Sequence, residues 1–446
     1  MSRPNGVARV GCGSGFARDR LQPAIDLAYS GQIDYLSFDC LAERTLALAH
    51  VRKRADPDSG YDGRLGAMVP QFAPAVADGL KVVGNFGVAN VPAALDCVVE
   101  GFRELGSRQI RVAAIHGDDV LELIRRLNPY IPDLGCTVGE LGERLVSANC
   151  YLGAEQIVAA LHAGANWVLG GRISDASLFV GPICHAMGWD LHDWDRVAHA
   201  TLAGHILECS SQATGGYFAD PPHRVVPGLD RVGFPFAEVD DDQVVISKLE
   251  SAGGMVTRHT VGLQVPYEVH DPSAYLTPDV TADFTAVTCE DVGENRVSLR
   301  GARGAPAPAT SKVLIGVDTG FKAVGEISYA AAGCVERGRL AIELLDSALS
   351  DLKSEIEELR YDLHGVDALV GREYHGNYPA EVRLRAAARL RTREAAELFG
   401  QEVERLYLHG PAGGGGVTTS VVPALSIFAV YVDAAEVHPS IELVDV

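Results

Sequence analysis

The segment ANWVLGGRISD, residues 165–175, decides the fold. Trp167, Val168 and Leu169 make an apolar run of strand length, and Gly170 and Gly171 end it just before Arg172 and Asp175. Immediately upstream, GAEQIVAALHAGA (153–165) repeats apolar residues at i, i+3 and i+4, the period of a helix. A helix feeding a buried strand that ends in polar residues among glycines is how α/β enzymes place charged groups at the carboxyl edge of a sheet.

The same phrase recurs on either side. ARVGCGSGF (8–16), DYLSFDCLAE (34–43), LKVVGNFGVAN (80–90) and QIRVAAIHGDD (109–119) each read as a strand followed by polar residues. LQPAIDLAYSG (21–31) and PAALDCVVEGFRELGS (92–107) supply helices between them. Past residue 220 the texture turns to strands with turn signals, as in FPFAEVDDDQVVISKLESAGG (234–254) and SKVLIGVDTGFKAVGEISYAAAG (311–333). An amphipathic helix is predicted between Gly333 and Leu363, and another over 380–406 around RLRAAARLRTREAAELF. The expected class is α/β. A mainly parallel βαβ-type domain, residues 1–220, would carry the site, and a β-richer α+β domain, residues 221–446, would follow.

Composition bounds the partners. With 446 residues and 47% hydrophobic content the chain can bury more than one core. Its formal charge of −21 repels phosphate backbones, which argues against nucleic acid, and an anionic ligand would need a locally basic pocket. Nine scattered cysteines without a CxxC pair, and no apolar leader at the start, point to free thiols in a reducing cytoplasm. No run of eighteen apolar residues suggests a membrane span. A homo-oligomer is expected only because acidic α/β enzymes of this size often self-associate.

Several constellations can carry chemistry. Gly11, Gly13 and Gly15 follow a strand, but their spacing is wrong for a dinucleotide fingerprint, so no nicotinamide or flavin is expected. The loop with Ser14 reads as a structural turn or an anionic-substrate contact. Asp39 and Glu43 can form an acid/base pair, or Asp39 can cap the helix that follows. After IRVAAI, His116 can act as base or metal ligand, with one of Asp118 and Asp119 capping the next helix. His205, Glu208 and Cys209 stand at i, i+3 and i+4, a spacing that suits a divalent metal, a thiolate beside an imidazole, or a plain buried helix. Gly413–Gly416, then Val417 to Ser420, can form an anion nest or a linker. Whether a metal is used stays open.

Taken together these residues resemble the acyclic terpene utilization family (AtuA-like). The resemblance rests on VGCGSGFARDR, DYLSFDCLAERT, VGNFGVAN, the long run SANCYLG…CHAMGW (147–189), LAGHILECSSQATGG, YEVHDPSAYLTPDV and GPAGGGG. It implies a step on a branched acyl-CoA or related carboxylic acid, with a lyase or hydratase favoured and a small partner subunit as an option. The family supplies no residue roles, so the site is read from the residues alone. The candidate catalytic groups are Asp175, His205, Glu208, Cys209 and His116. Candidate substrate contacts are Ser14, Asp39, Asn85, Asn149, Arg172, Ser177 and Gln212. A lyase would use Asp175 or Glu208 as base, His116 or His205 as acid, and Arg172 for developing oxyanion charge. The alternatives are a Cys209-dependent acyl transferase or hydrolase and a non-catalytic acyl-binding subunit.

Overall fold

A computed structural model describes residues 6–369, 371 and 379–446. The chain falls into two units, the larger built from 1–142, 146–315 and 427–446, the smaller from 143–145 and 316–426.

The larger unit is organised on a ten-stranded sheet. Its middle holds five parallel strands in the order Ala8–Ser14, Tyr35–Phe38, Lys81–Gly84, Trp167–Gly170 and Arg111–His116. The register aligns Ser14 with Phe38, Phe38 with Gly84, Gly84 with Leu169, and Ile115 with Gly170. Asp39, Asn85, Asp118 and Arg172 therefore emerge along one edge. Helices cover both faces, as parallel sheets require. On one face Ser37 Oγ donates to the Leu178 carbonyl of helix Ser177–Met187 at 2.8 Å. On the other, the next residue, Phe38, meets Phe72 of helix Leu65–Ala77 with ring centroids 5.5 Å apart.

The strands after residue 220 extend this same sheet. Pro235–Val239 pairs antiparallel with Ala8–Ser14, and Val244–Lys248, Arg296–Arg300 and Thr288–Gly293 follow outward. Arg9 and Arg296 both clamp Glu238, which fixes that register. The units thus part near residue 315, where the expected boundary stood at 220. At the opposite edge Ser440–Asp445 pairs antiparallel with Arg111–His116.

The smaller unit runs strand, helix, strand, strand, helix, strand. Its order is Ile356–His364, Glu381–Leu390, Thr310–Ala330, Gly415–Asp433, a split β-α-β arrangement. Helices Cys334–Ala348 and Arg393–His409 pack on Glu381–Leu390. The helix expected over 380–406 is therefore half strand. Val382, Leu384, Ala386, Ala388 and Leu390 are buried while Arg383, Arg385 and Arg389 alternate outward, and this period of two overrides the helical propensity of Ala, Arg and Leu. Similarly, the segment predicted helical over 333–363 is helix only to Ala348, and its end is the strand Ile356–His364. The glycine run leads into a strand. Gly415 opens a strand, and Thr418 Oγ1 donates to Glu326 and accepts from Arg383. Among the described residues no helix is long and apolar enough to cross a membrane.

Candidate functional site

At the carboxyl edge of the parallel strands lies a cleft of about 420 Å³. Asp39, Glu43, Arg172, Asp175, Glu208, Cys209, Gln212, Tyr267 and Glu268 line it, with Gly15 and Phe16 at one side. Five carboxyl groups thus surround one guanidinium.

Glu208 owes its position to the end of a helix. Helix Trp194–Leu207 is capped by Asp193 and stops at Leu207, so Glu208 is the first residue past its last turn. Behind it His205 is 1% exposed, boxed between the rings of Tyr275 and Phe284. His205 Nε2 donates to the Gln264 carbonyl at 3.0 Å, which leaves Nδ1 facing Glu208 Oε1 at 3.1 Å. Burial pulls the imidazole down, but Glu208 outweighs it and holds His205 above its ordinary value. Burial pushes Glu208 up, His205 opposes this, and the charges of Asp175 and Glu268 add to the rise. One hydrogen bond thus joins the two groups. Glu208 Oε2 is buried with no hydrogen-bond partner.

Asp39 faces the same space. Its Oδ1 accepts from Asn85 Nδ2 at 2.7 Å and from the Leu41 amide at 3.1 Å. Asn85 in turn accepts from the Cys40 amide at 2.6 Å, so both ends of the side chain are fixed. Burial and the Asp175 charge raise Asp39 well above the carboxylate range, against the pull of Arg172. Glu43 behaves oppositely. Burial pushes it up, yet its own backbone amide, Arg172 and the Tyr151 hydroxyl at 3.0 Å together hold it below its usual value. Carboxyls in one cleft are thereby shifted in opposite directions, the condition under which acid and base can coexist.

Arg172 is 2% exposed, and its Nε is buried without a hydrogen-bond partner among the described residues. It pairs with Asp175 at 2.7 Å, donates to the Ile173 carbonyl, and lies 4.0 Å from the centroid of the Tyr151 ring. Asp118 Oδ2 fixes its backbone by accepting from the Arg172 amide at 2.8 Å. The same oxygen accepts from Asn149 Nδ2, and Asn149 Oδ1 accepts from His50 Nε2 at 2.8 Å. Burial lowers His50, so it enters this chain neutral. A Cβ on Gly171 would collide with the Asp118 carboxylate, hence the second glycine of the Gly-Gly pair.

The candidates divide accordingly. Asp39, Arg172, Asp175, Glu208, Cys209 and Gln212 meet in the cleft, with Asn85 bonded to Asp39. Asn149 stands behind Arg172, and His205 behind Glu208. Neither faces the cleft as a direct contact. Ser14 is fully buried and donates to the Asp39 carbonyl at 2.7 Å, which makes it scaffold. Ser177 is drawn off by Asp279, to which it donates at 2.5 Å. His116 sits 3.1 Å from Glu442 of the C-terminal strand and is not part of the cleft lining. His185, at the other end of the strands, bonds the Tyr35 hydroxyl at 2.8 Å. Burial pushes the Cys209 thiol far up, and both nitrogens of His205 are engaged elsewhere, so the imidazole is no base for it.

The glycine loop also proves structural. Residues 8–14 are strand throughout, and the Gly15 amide donates to Asp19. A Cβ on Gly15 would stand 2.7 Å from the Glu208 carbonyl, so only glycine lets this segment close on the turn that holds Glu208. Sequence reasoning missed Tyr267 and Glu268. They lie in YEVHDPSAY, an irregular stretch with no periodic signal. Among the described residues no group of three or more His, Cys, Asp or Glu side chains is assembled to hold a metal ion.

Residues 8–443 match the family model described as "Acyclic terpene utilisation family protein AtuA". The match spans nearly the whole chain, and the chain belongs to that family. A comparison with curated proteins gives no match.

Proposed function

With that family as premise, we propose that the protein is a lyase of the hydratase type, acting on a branched or hydroxylated carboxylic acid or its acyl-CoA ester by α-proton abstraction. The observation that carries this is the unpartnered Oε2 of Glu208 in a cleft it shares with Asp39. Glu208 takes the α-proton on Oε2, and His205 answers through Oε1 by shifting the shared proton. The C–H electron pair moves toward the carbonyl, and Arg172, the one cation lining the cleft among the described residues, faces the enolate oxygen. Asp39, kept protonated by burial and by Asp175, gives its proton to the departing hydroxyl. The enolate pair returns to form the carbon–carbon double bond, and water leaves. Run backwards, the same groups hydrate.

The raised Cys209 thiol speaks against the thiol-dependent alternative. The test is α-carbon exchange in deuterated water, read by mass spectrometry over a panel of β-hydroxy and α,β-unsaturated acids and their CoA esters. We expect deuterium uptake or a one-water mass change that disappears in Glu208→Gln. Binding without exchange across the panel would sink the lyase reading and leave a carrier subunit, which co-purification with a second chain would then support.

A further inference from the structure

The two edges of the smaller unit's sheet are guarded differently. One edge is Ile356–His364, which carries Glu357, Glu358, Arg360 and Asp362. Charges of this kind keep other chains from pairing with an edge strand. The other edge is Gly415–Asp433, whose one strand neighbour among the described residues is Thr310–Ala330. Short of its last residue it has no such guard. From Gly410 to Val432 there is no Asp, Glu, Lys or Arg, in a chain where 22% of residues are charged. Nor is it a core strand. Of its nineteen residues only Val430 and Val432 are buried, Val422 is 41% and Tyr431 63% exposed, and Leu425, Ile427 and Phe428 are half-buried. Pro423 sits near its midpoint, and proline, which has no N–H to give a ladder, belongs on an edge. At a rise of ~3.3 Å per residue, this unguarded apolar edge is about 60 Å long.

We infer that this edge is the interface of a homodimer: Gly415–Asp433 of one chain pairs antiparallel with the same strand of a second copy about a twofold axis. Charge selects that occupant. Two chains of formal charge −21 repel wherever their surfaces carry carboxylates, and a long strip without any is where they can meet. A basic partner would be drawn to the acidic surface elsewhere. Antiparallel edge pairing is also self-complementary, since each strand gives the other the N–H and C=O groups it lacks, and such an isologous contact closes at two copies. Over about 60 Å, a contact only about 13 Å wide reaches the roughly 800 Å² per partner that a stable dimer buries. Nothing in this depends on the chemistry of the cleft.

The experiment is sedimentation equilibrium of the full chain over a range of concentrations, at low and at high salt. Wild type should sediment at twice the 47.4 kDa of one chain. Association should tighten as salt rises, because salt screens the repulsion and the strip holds no ion pair to weaken. Val422→Lys and Val422→Glu, exposed changes checked for folding by circular dichroism, should each raise the dissociation constant by roughly tenfold or more, since the twofold axis brings like charges together. Leu408→Lys, at an apolar residue 83% exposed on helix Arg393–His409, should leave the dimer unchanged. Hydrogen exchange supplies a second readout: amides of 415–433 should be protected where the dimer forms and lose that protection on dilution. A chain that stays monomeric, an oligomer indifferent to both Val422 variants, or one that loosens as salt rises overturns the proposal. A monomer that floats with neutral phosphatidylcholine vesicles overturns it as well, and gives the strip to a lipid surface.

Discussion

The two ends of the same parallel strands solve burial in opposite ways. At the amino end Tyr35, His162 and His185 pack against one another, with the His rings 4.9 Å apart and Tyr35 bonded to His185. Burial, His162 and Lys81 press His185 down to about 4, so it stays uncharged. At the carboxyl end Asp39, Arg172 and Glu208 are buried beside the half-buried Asp175, and carboxyl groups outnumber the guanidinium. Neutral pairing is cheap and inert. Unequal charge is costly to hold, and groups held that way are ready to exchange protons.

Glu208→Gln tests the contrast most severely. It keeps the shape but removes the proton acceptor, and α-exchange should fall about a hundredfold to ten-thousandfold with little change in unfolding temperature. An equally active variant would move the chemistry off this residue. Arg172→Met comes next. It leaves Asp39 and Asp175 without their counter-charge, and a loss of about 3–5 kcal/mol should appear as an early unfolding transition. Unchanged stability would mean that the carboxyls are already neutral without it.

The ends should also answer pH with opposite sign. His185 is depressed, so its contribution is whole above its unfolded value of about 6.5 and is lost as pH falls toward about 4. Asp39 and Glu208 are raised, as is His205. Their contributions are whole below the unfolded values and drain away as pH climbs through the folded ones. Melting curves at pH 5 and pH 8 should show His185→Gln gaining selectively at pH 5 and Asp39→Asn gaining selectively at pH 8. Parallel shifts in both variants would erase the distinction. The smallest effect belongs to Cys209→Ser, for which α-exchange should stay within about threefold of wild type, since its thiol is not the nucleophile here. A collapse of activity in that variant would restore the thiol reading.

Much of the carboxyl end was legible in the sequence because position there follows from the backbone. A strand followed by a helix puts Asp39, Asn85 and Arg172 on one edge whatever their side chains do. Helical spacing put His205, Glu208 and Cys209 on one face, but that His205 bonds Glu208 and not Cys209 was not in the spacing. What could not be read was direction. Ser177 turns to Asp279 and His116 to Glu442, partners far along the chain that no local pattern announces. The strand Glu381–Leu390 was hidden by composition, since its Arg and Ala residues favour helix until two neighbouring strands claim their backbone.

Gly15 carries one more consequence. It touches the turn at Glu208 across a long span of intervening chain, and no larger residue fits between them. A nascent chain that has not yet delivered residues 194–210 therefore has strand ends but no cleft, and the contact forms late because the loop it closes is long. The amides around Glu208 should then exchange with solvent only when the whole larger unit opens. A glycine just past the first strand thus ties the birth of the site to the completion of the fold.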